Sequence, residues 1–379
     1  MNRQQAKKHR IAMAGGWTGG HVFPIKSLID YLAQKPDFSK QVEALYWFGS
    51  KDSLEQTVFK RIQQERSGPQ FSFVHIFSGK YRRETYLRSN LKNIRDFFLF
   101  IAGIFQSLRY LNKYKIDTIF CKGGYVALPL VVAGRILRKK IVVHESDTRP
   151  GLVNKLASRM AKKIFTGFDG VLQGSETIGQ ILSDDMIFDG DMDKNPLLKE
   201  VFAQYDNQKS WVLVVWWSQG SQRLYQSLIK AIQTDKTLQT EFVFFVVLGL
   251  LNKELASEFE GFPNVHVFEF VSQKEMWVLC AHCDIALTRA GTTSLAEQKL
   301  YDMKLLIVPI AWTHDQYQNA ERYQKNHDDV LLDQRNEDFL NKLVLELKKH
   351  KYNKKVSLEN DKAERIHAGK DKVWEALLG

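Results

Sequence analysis

The sequence has 379 residues, of which 44% are hydrophobic and 26% are charged. These values exclude a disordered chain and predict about two to three domains with cores of their own. The net charge of +11 favours an anionic partner. No nucleic-acid-binding motif is recognisable, so we expect an anionic membrane surface or a phosphate-bearing substrate and no nucleic acid. Only three cysteines and no signal peptide predict a cytoplasmic protein.

The first predicted pair of elements lies in HRIAMAGGWTGGHVFPIKSLIDYLAQ, where a short apolar strand leads through a glycine-rich turn into a helix. Apolar residues recur there at the spacing of one helical face, at Ile25, Leu28, Ile29 and Leu32. Such a turn lets phosphate oxygens approach backbone N–H groups, and the helix dipole favours their negative charge. The turn alone fits any nucleotide-binding α/β enzyme, and the GxGxxG spacing of a nicotinamide enzyme is missing.

The longest apolar run, Phe97–Phe105, has nine residues, well short of the roughly 20 that a membrane-spanning helix needs. Basic residues surround it: Lys80, Arg82, Arg83, Arg88, Lys92, Arg95 and Arg109. This combination fits a helix that lies on a membrane surface. A core helix with solvated charges fits the pattern equally well.

Strand and helix patterns alternate along both halves of the chain, which predicts an α/β fold with two parallel sheets covered by helices. Strands are expected at Ala44–Phe48, Phe73–Phe77, Thr118–Cys121, Ile141–His144, Ile164–Thr166, Phe242–Leu248, Val265–Phe268, Ile285–Thr288 and Leu305–Pro309. A polar stretch around Asn195 and Pro196 is expected to separate the domains. We predict a first domain over 1–193, a second over 194–359, and a terminal helix over 360–379 that packs back on the first.

The second half opens with SWVLVVWWSQGSQRLYQSLIKAIQ, a further strand, turn and helix. Val212–Val215 predicts a buried strand, and Leu224 and Leu228 lie on one face of the helix that follows. The turn holds Trp216 and Trp217, where small residues are expected. Because a doubly wound sheet binds ligands beyond the carboxyl ends of its strands, the two turns predict two half-sites that face across a cleft.

A third segment, TRAGTTSLAEQ, starts a helix after a strand that ends near Gly291. Thr292, Thr293 and Ser294 offer hydroxyls and N–H groups at this helix start. Glu297 is placed to accept the two hydroxyls of a ribose, although a glutamate that complements the helix dipole is an equally good interpretation. The later HDQYQNA combines amides and a carboxylate that suit sugar hydroxyls.

The cysteines and histidines give weaker indications of metal binding and of acid–base chemistry. Cys280 and Cys283 form a lone CxxC with no second pair at zinc-ligand spacing, so structural cysteines are favoured and no metal site is expected. His21 follows the first glycine-rich turn, and His144 follows an apolar strand. Single histidines are usually structural, but two at strand ends of one cleft favour acid–base chemistry.

Six motifs together resemble those of the MurG family in order and spacing, over nearly the whole chain: GGWTGGHVFP, KGGYVALPLVVAG, HESDTRPGLVNK, WWSQGSQ, RAGTTSLAE and HDQYQNA. The resemblance implies the GT-B architecture of two Rossmann-like domains. It implies inverting transfer of N-acetylglucosamine from UDP-N-acetylglucosamine to the muramyl 4-hydroxyl of lipid I, which forms lipid II in peptidoglycan synthesis. It also implies no cofactor, no metal, and a peripheral location on the inner face of the cell membrane.

The same resemblance implies roles for single residues. His21 is implied as the general base. Ser218 and Gln219 match the loop that contacts the UDP phosphates. Val271 matches a residue whose backbone contacts uracil, and Glu297 matches the carboxylate that binds the ribose. The remaining acceptor-side residues are Thr18, Gly19, Gly20, Gly123, Gly124, Tyr125, His144, Glu145 and Asn154. The remaining donor-side residues are Gly220, Arg289, Gly291, Thr292, Thr293, Ser294, Asp315, Gln316 and Asn319.

The sequence departs from the family pattern at a strand-end motif and at four tryptophans. The family form HEQN is HESD here, with Ser146 in place of the glutamine. Trp17, Trp216, Trp217 and Trp312 stand where the family has glycine. An indole has about 200 Å² of surface to bury and would fill the space meant for UDP.

We hypothesise that these four positions are glycine in the living cell. The glycine codon GGA and the codon UGA differ by one base, and some bacterial lineages read UGA as glycine. A translation that reads UGA as tryptophan would therefore produce this pattern, and the coding DNA tests it. A catalytically inactive relative is the competing interpretation. A nucleotide-sugar epimerase of similar fold and a non-catalytic binding protein are the other open alternatives.

Overall fold

The computed structural model describes residues 8–65, 70–79, 87–205, 208–216, 221–249, 252–311, 314–351 and 361–379. The chain divides into two compact units, one formed by Met1–Asp184 with Glu364–Gly379 and the other by Asp185–Ala363. The domain limits near residues 193 and 359 stay predictions.

The first unit contains a parallel sheet of seven strands in the order β3-β2-β1-β4-β5-β6-β7. Four of its strands, β1, β2, β4 and β5, are mostly apolar and buried because helices cover both faces of the sheet. The order reverses between β1 and β4, which makes their carboxyl ends the switch point where doubly wound sheets bind ligands. The strands are β1 His9–Gly15, β2 Val42–Gly49, β3 Gln70–His75, β4 Thr118–Gly123, β5 Lys140–Glu145, β6 Lys163–Thr166 and β7 Glu176–Thr177.

Six helices alternate with these strands: α1 Gly19–Gln34, α2 Phe38–Gln41, α3 Leu54–Glu65, α4 Leu87–Lys113, α5 Ala127–Ile136 and α6 Leu152–Ser158. The predicted apolar face of α1 is confirmed, since Ile25, Leu28, Ile29 and Leu32 have no exposed surface. No helix in the described part of the chain combines the length and the apolar character of a membrane span.

The second unit contains a parallel sheet of six strands in the order β10-β9-β8-β11-β12-β13, with its switch point between β8 and β11. Its strands are β8 Ser210–Val215, β9 Phe242–Val247, β10 Val265–Phe268, β11 Ile285–Thr288, β12 Lys304–Ile307 and β13 Val330–Leu331. The helices are α7 Pro196–Ala203, α8 Gln222–Thr234, α9 Lys236–Glu241, α10 Gln273–His282, α11 Thr292–Leu300, α12 His314–His327 and α13 Phe339–Lys349.

The last helix, α14 Asp361–Leu378, carries Val373, Trp374 and Leu377 into the core of the first unit. The indole of Trp374 lies 5.9 Å from the ring of Phe38, between ring centroids. A buried cation anchors the same helix, because the ammonium of Lys370 donates a hydrogen bond of 2.7 Å to Asp184.

Candidate functional site

In the first unit, β1 ends at Gly15, and the turn that leads into α1 consists of Gly16, Trp17 and Thr18. Trp17 has φ +76°, in the left-handed region that bulky residues avoid, and half of its side chain is exposed. Its indole meets the ring of Tyr125 edge to face, with 5.3 Å between the centroids. The sequence thus places a tryptophan in a backbone conformation that suits glycine.

Glu55 of α3 holds this turn from one side. Its buried carboxylate accepts hydrogen bonds from the backbone N–H groups of Trp17, at 3.2 Å, and Ser50, at 3.0 Å. A Cβ added at Gly16 would lie 2.7 Å from the same carboxylate, so only glycine fits there.

Gly123 and Gly124 border the turn from the end of β4. Both have positive φ, +110° and +81°, and a Cβ added at Gly124 would lie 2.6 Å from the carbonyl oxygen of Gly16. The two turns that the sequence predicted on the acceptor side are therefore in direct backbone proximity. Glycine is required because any side chain would push them apart.

His21 lies in the first turn of α1, half-buried. Its Nδ1 is 2.9 Å from the hydroxyl oxygen of Thr18. Burial, reinforced by the nearby positive charge of Lys122, lowers the pKa of His21 to about 4, against the effect of a hydrogen bond to the backbone of Gly16. The imidazole is therefore neutral at neutral pH, as a proton acceptor must be.

Behind this turn, β4, β5 and α6 contribute a buried polar cluster. The carboxylate of Glu145 accepts hydrogen bonds from the N–H groups of Asp147 and Gly151 and from the side-chain amide of Asn154, at 2.9, 3.0 and 3.0 Å. Burial nevertheless raises the pKa of Glu145. The amide of Asn154 also reaches the carbonyl oxygens of Lys122 and His144, so the cluster fixes the ends of both strands.

His144 has no exposed surface. Its Nε2 lies 2.9 Å from the carbonyl oxygen of Gly179, and burial lowers the pKa of the ring well below its usual range. The structure thus gives His144 a structural environment out of reach of solvent, and its role beside a substrate stays a prediction.

In the second unit, the turn after β8 begins with Trp216, which is completely buried 5.2 Å from the ring of Tyr225. The indole N–H of Trp216 has no hydrogen-bond partner among the described residues. The hydroxyl of Ser221, just before α8, donates to the carbonyl oxygen of Trp216. Four predicted residues lie outside the described part of the chain, as does Trp312: Trp217, Ser218, Gln219 and Gly220.

The carboxyl end of β11 leads through Arg289, Ala290 and Gly291 into α11. A Cβ added at Gly291 would meet nothing within 4 Å, so the backbone is open at the helix start. Thr292 is buried there, while Thr293 and Ser294 are partly exposed. One turn further, Glu297 is partly buried, and burial raises the pKa of its carboxyl group to about 8.

Three of the predicted donor-side residues hold the strand ends together. The guanidinium of Arg289 donates to the carbonyl oxygens of Val308 and Pro309, after β12, at 3.0 and 3.3 Å. The amide of Asn319 donates to the carbonyl oxygen of Ala290 at 3.2 Å. The side-chain oxygen of Gln316 accepts from the N–H of Ile310 at 3.0 Å. Asp315 is exposed at the start of α12, and Val271 is buried between β10 and α10.

Lys122 and Glu55 were not predicted from the sequence. A signal for Lys122 was available, because it is a charged residue in the apolar strand TIFCKG. Glu55 gave no such signal, since a glutamate in the first turn of a helix is ordinary.

Family models match both units: the glycosyltransferase family 28 N-terminal domain over residues 11–166 and its C-terminal domain over residues 211–374. The UDP-N-acetylglucosamine–N-acetylmuramyl-(pentapeptide) pyrophosphoryl-undecaprenol N-acetylglucosamine transferase of Staphylococcus carnosus is 31% identical over 323 residues, 83% of this chain and 82% of the relative. The enzyme of the same name from Staphylococcus aureus is 32% identical over 322 residues, 83% of each chain.

Solved structures share the fold. MurG of Acinetobacter baumannii matches with a TM-score of 0.69 at 20% identity, over 98% of this chain and 99% of that chain. The UDP-GlcNAc 2-epimerase of Neisseria meningitidis matches with a TM-score of 0.59 at 12% identity, over 97% and 99%. At these identities the likeness concerns the fold alone.

Two doubly wound units that both match glycosyltransferase family 28 domains make this protein a glycosyltransferase of GT-B architecture. Sequence identity to the two staphylococcal enzymes, which extends over both units, then identifies the family within this class. The chain belongs to the MurG family of glycosyltransferases.

Proposed function

We propose that this protein transfers N-acetylglucosamine from UDP-N-acetylglucosamine to the muramyl 4-hydroxyl of lipid I and so forms lipid II for peptidoglycan. One observation carries the proposal: relatives named for a transfer of this kind align with 83% of the chain, including both units. The UDP-GlcNAc 2-epimerase of Neisseria meningitidis is 12% identical to this chain, a likeness that concerns the fold and does not favour its reaction.

The reaction is an inverting displacement. The acceptor hydroxyl oxygen forms a bond to the anomeric carbon from the face opposite UDP, the bond from that carbon to the phosphate oxygen breaks, and UDP leaves with the electron pair. His21 accepts the hydroxyl proton, a contribution that is typically worth 10²–10⁴-fold in rate. Its place in the first turn of α1, at the switch point of the first unit, supports this role.

On the donor side, charge develops on the UDP phosphates as the bond breaks. The backbone N–H groups of residues 218–221 and the positive end of the α8 dipole are assigned to this charge. Glu297 is assigned to the ribose hydroxyls, and its partly buried carboxyl group beside an open helix start supports that assignment. Asp315, Gln316 and Asn319 are assigned to the sugar.

The test is transfer of radiolabel from UDP-N-acetylglucosamine to a lipid I analogue. A transferase labels the acceptor. An epimerase forms an epimerised sugar and leaves the acceptor unlabelled, and a binding protein produces neither labelled acceptor nor epimerised sugar. We expect labelled acceptor, and we expect His21→Ala to lower kcat far more than donor affinity. Lys26→Ala on the same helix, whose ammonium pairs with Asp30 at 2.5 Å, is the matched control and should leave kcat unchanged. An unchanged kcat in His21→Ala would remove this residue from the base role.

We also propose that α4 binds the inner face of the cell membrane, where a lipid-borne acceptor resides. Four large apolar side chains of this helix are 57–67% exposed and recur at helical spacing: Ile94, Phe97, Phe98 and Phe105. Lys92, Arg95 and Arg109 on the same helix are exposed cations. This arrangement supports the membrane-surface interpretation over the core-helix one. Lys80, Arg82 and Arg83 lie outside the described residues.

Sedimentation with anionic vesicles at low salt tests this proposal. We expect Phe97→Ser with Phe98→Ser to lose most of the binding. Leu345→Ser, which alters a 61% exposed apolar side chain on α13, should bind as the unaltered protein does. If the unaltered protein does not sediment with the vesicles, the membrane proposal is contradicted. That result would not bear on the transfer reaction, which the radiolabel experiment tests.

A further inference from the structure

The first unit has a cavity of about 380 Å³ at the edge of its sheet where the strands begin. Strands β5, β6 and β7 start there with Lys140, Lys163 and Glu176. The proposed reaction uses the opposite edge, since a doubly wound sheet binds its substrates beyond the carboxyl ends of its strands. The cavity is therefore separate from the proposed acceptor site.

The three strand starts contribute their side chains to one face of the sheet. Val142 of β5 pairs with Lys163, and Phe165 of β6 pairs with Glu176. Because side chains alternate between the two faces along a strand, Lys140 shares a face with Val142, and Lys163 shares it with Phe165. Val142 and Phe165 belong to the core that α14 completes. The remaining lining residues come from the loop before β6 and from the end of α14: Lys162, Lys372, Glu375, Ala376 and Gly379.

Positive charge is in excess among the side chains of this cavity, which has four lysines and two glutamates in its lining. One carboxylate serves two of the lysines. Glu176 pairs with the ammonium of Lys163 at 2.6 Å and with that of Lys372 at 2.7 Å, measured from N to O. This group of three side chains therefore keeps one positive charge.

The other two lysines, Lys140 and Lys162, form no ion pair within the described part of the chain. The backbone holds them close together, since the N–H of Lys162 donates a hydrogen bond of 2.8 Å to the carbonyl oxygen of Ile141. Burial lowers the pKa of Lys140, and the positive charge of Lys162 lowers it further. An anion between the two ammonium groups would offset this repulsion.

We propose that the cavity binds a small phosphate-bearing anion between the ammonium groups of Lys140 and Lys162. Lysine binds phosphate as a point charge, and two such lysines match the double negative charge of a phosphate group. The volume lies at the lower end of the range for small-molecule pockets, which is roughly 300–1,000 Å³. This site goes beyond the proposed transfer reaction and does not depend on it.

A soluble phosphate compound and a lipid headgroup both present this chemistry. The cavity lies on the α14 face of the sheet, whereas Ile104 and Leu108 of α4 pack on the other face, against the core that contains Ile141 and Val143. A membrane bound through α4 would thus lie on the far side of the sheet from the cavity. This placement favours the soluble source.

The experiment is an NMR titration of the full-length protein, labelled with ¹³C at Cε of lysine. Loss of a signal in Lys140→Gln and in Lys162→Gln assigns the two resonances. Inorganic pyrophosphate is the probe, added at constant ionic strength so that general screening of charge does not change. We expect the signals of Lys140 and Lys162 to shift to saturation.

Two variants test the charges of the cavity in opposite directions. Lys162→Gln should weaken pyrophosphate binding, measured on the Lys140 signal, by at least about fivefold, because one of the two facing charges is lost. Glu176→Gln should tighten the binding, since it removes a carboxylate and releases Lys163 and Lys372 from their ion pairs.

The matched control is Lys230→Gln with Lys236→Gln, two exposed lysines of the second unit that also form no ion pair with a described residue. This double variant should bind pyrophosphate at the cavity as the unaltered protein does. Equal affinity in Lys162→Gln would overturn the proposal. Shifts that rise linearly, and equally at Lys140 and Lys230, would also overturn it, because they report only general attraction of anions.

Sedimentation with phosphatidylglycerol vesicles separates the two sources of phosphate. If the ligand is soluble, Lys140→Gln with Lys162→Gln should sediment as the unaltered protein does. A loss of sedimentation in this variant, combined with no saturable response to pyrophosphate, would assign the phosphate to a lipid headgroup. No saturable response and no loss of sedimentation would refute the site. Transfer of sugar is measured separately, so failure of the proposed function would leave this result unchanged.

Discussion

Trp17 and Trp216 show, at the scale of single residues, where the sequence and the fold disagree. The left-handed φ of Trp17 costs roughly 1–2 kcal/mol for a residue that has a Cβ. Trp216 buries an indole N–H that has no described partner, which costs about 1–3 kcal/mol. Both are turn positions at a switch point. These conflicts support the hypothesis that glycine occupies the positions in the cell, a hypothesis that the coding DNA has still to test.

A protein with glycine at positions 17, 216, 217 and 312 should bind UDP at least about tenfold more tightly than the protein with tryptophan, which is about 1.4 kcal/mol. The reason is that glycine at 216 and 217 leaves the backbone N–H groups of the donor-side turn open to the UDP phosphates. Isothermal titration calorimetry with UDP measures the difference.

The control for this experiment is Trp277→Phe, a change in a buried residue of α10 that should not improve binding. Two results would contradict the hypothesis: UGG codons at Trp17, Trp216 and Trp217, or a glycine variant that loses several kcal/mol of stability and gains no affinity for UDP. The second result would identify the indole of Trp216 as a true core side chain.

Glu297 provides a pH-dependent prediction. Its pKa of about 8 in the folded protein exceeds the usual value near 4.5, so between these pH values the folded state holds a proton that the unfolded state has released. Stability therefore falls as pH rises through that window. Glu297→Gln should raise Tm, and the gain should be larger at pH 8 than at pH 5.

Differential scanning calorimetry at both pH values measures this gain. Glu321→Gln, at an exposed position of α12, is the control and should show the same small change at each pH. A gain for Glu297→Gln that does not depend on pH would mean that the carboxyl group is ionised in the folded state.

Secondary structure elements with long periodic patterns were predictable from the sequence. The strand Val212–Val215 and the apolar face of α8 are confirmed, and strands predicted at residues 265–268 and 285–288 have those limits. β3 was placed too late, because Phe77 follows the strand instead of ending it. β7 and β13 were missed, since strands of two residues show no periodicity.

The terminal helix α14 allows a stability prediction at this scale. Trp374 is 6% exposed and packs with Val373 and Leu377 in the core of the first unit. Trp374→Ala should lower the free energy of unfolding by about 3–5 kcal/mol, as other large core truncations do. Urea denaturation measures it, with Glu375→Ala at an exposed position as the control expected to stay within about 0.5 kcal/mol. A loss below 1 kcal/mol would contradict the docking of this helix.

At the scale of the whole molecule, alternating strand and helix patterns predicted two parallel sheets, and the order and spacing of six motifs predicted the class of the protein. It could not predict how the site is supported internally. The hydrogen bonds between Glu55 and Trp17, between Lys122 and Ser146 and between Asn154 and the carbonyl oxygen of Lys122 join segments that lie far apart in the chain, and no local pattern reports such contacts. The sequence likewise did not decide whether the apolar residues of α4 are exposed or belong to the core. Periodicity alone cannot tell which side of a helix contacts the core.

The net charge of +11 gives a prediction for the molecule as a whole. Binding to anionic vesicles should fall severalfold when salt rises from about 0.05 M to about 0.5 M, since screening shortens the reach of charge. Part of the binding to vesicles should persist at high salt, because the apolar side chains of α4 also contribute to it. Co-sedimentation across the salt series measures this, with uncharged phosphatidylcholine vesicles as the control. Salt-independent binding would mean that charge plays no part.

The return of α14 to the first unit has a consequence for synthesis on the ribosome. The amino-terminal core lacks Val373, Trp374 and Leu377 until residues 373–377 have been translated, after the whole second unit. The second unit, although translated later, has its hydrophobic interior available sooner after its own residues emerge. The unit that is translated first is thus the one whose core is completed only after the second unit has been translated.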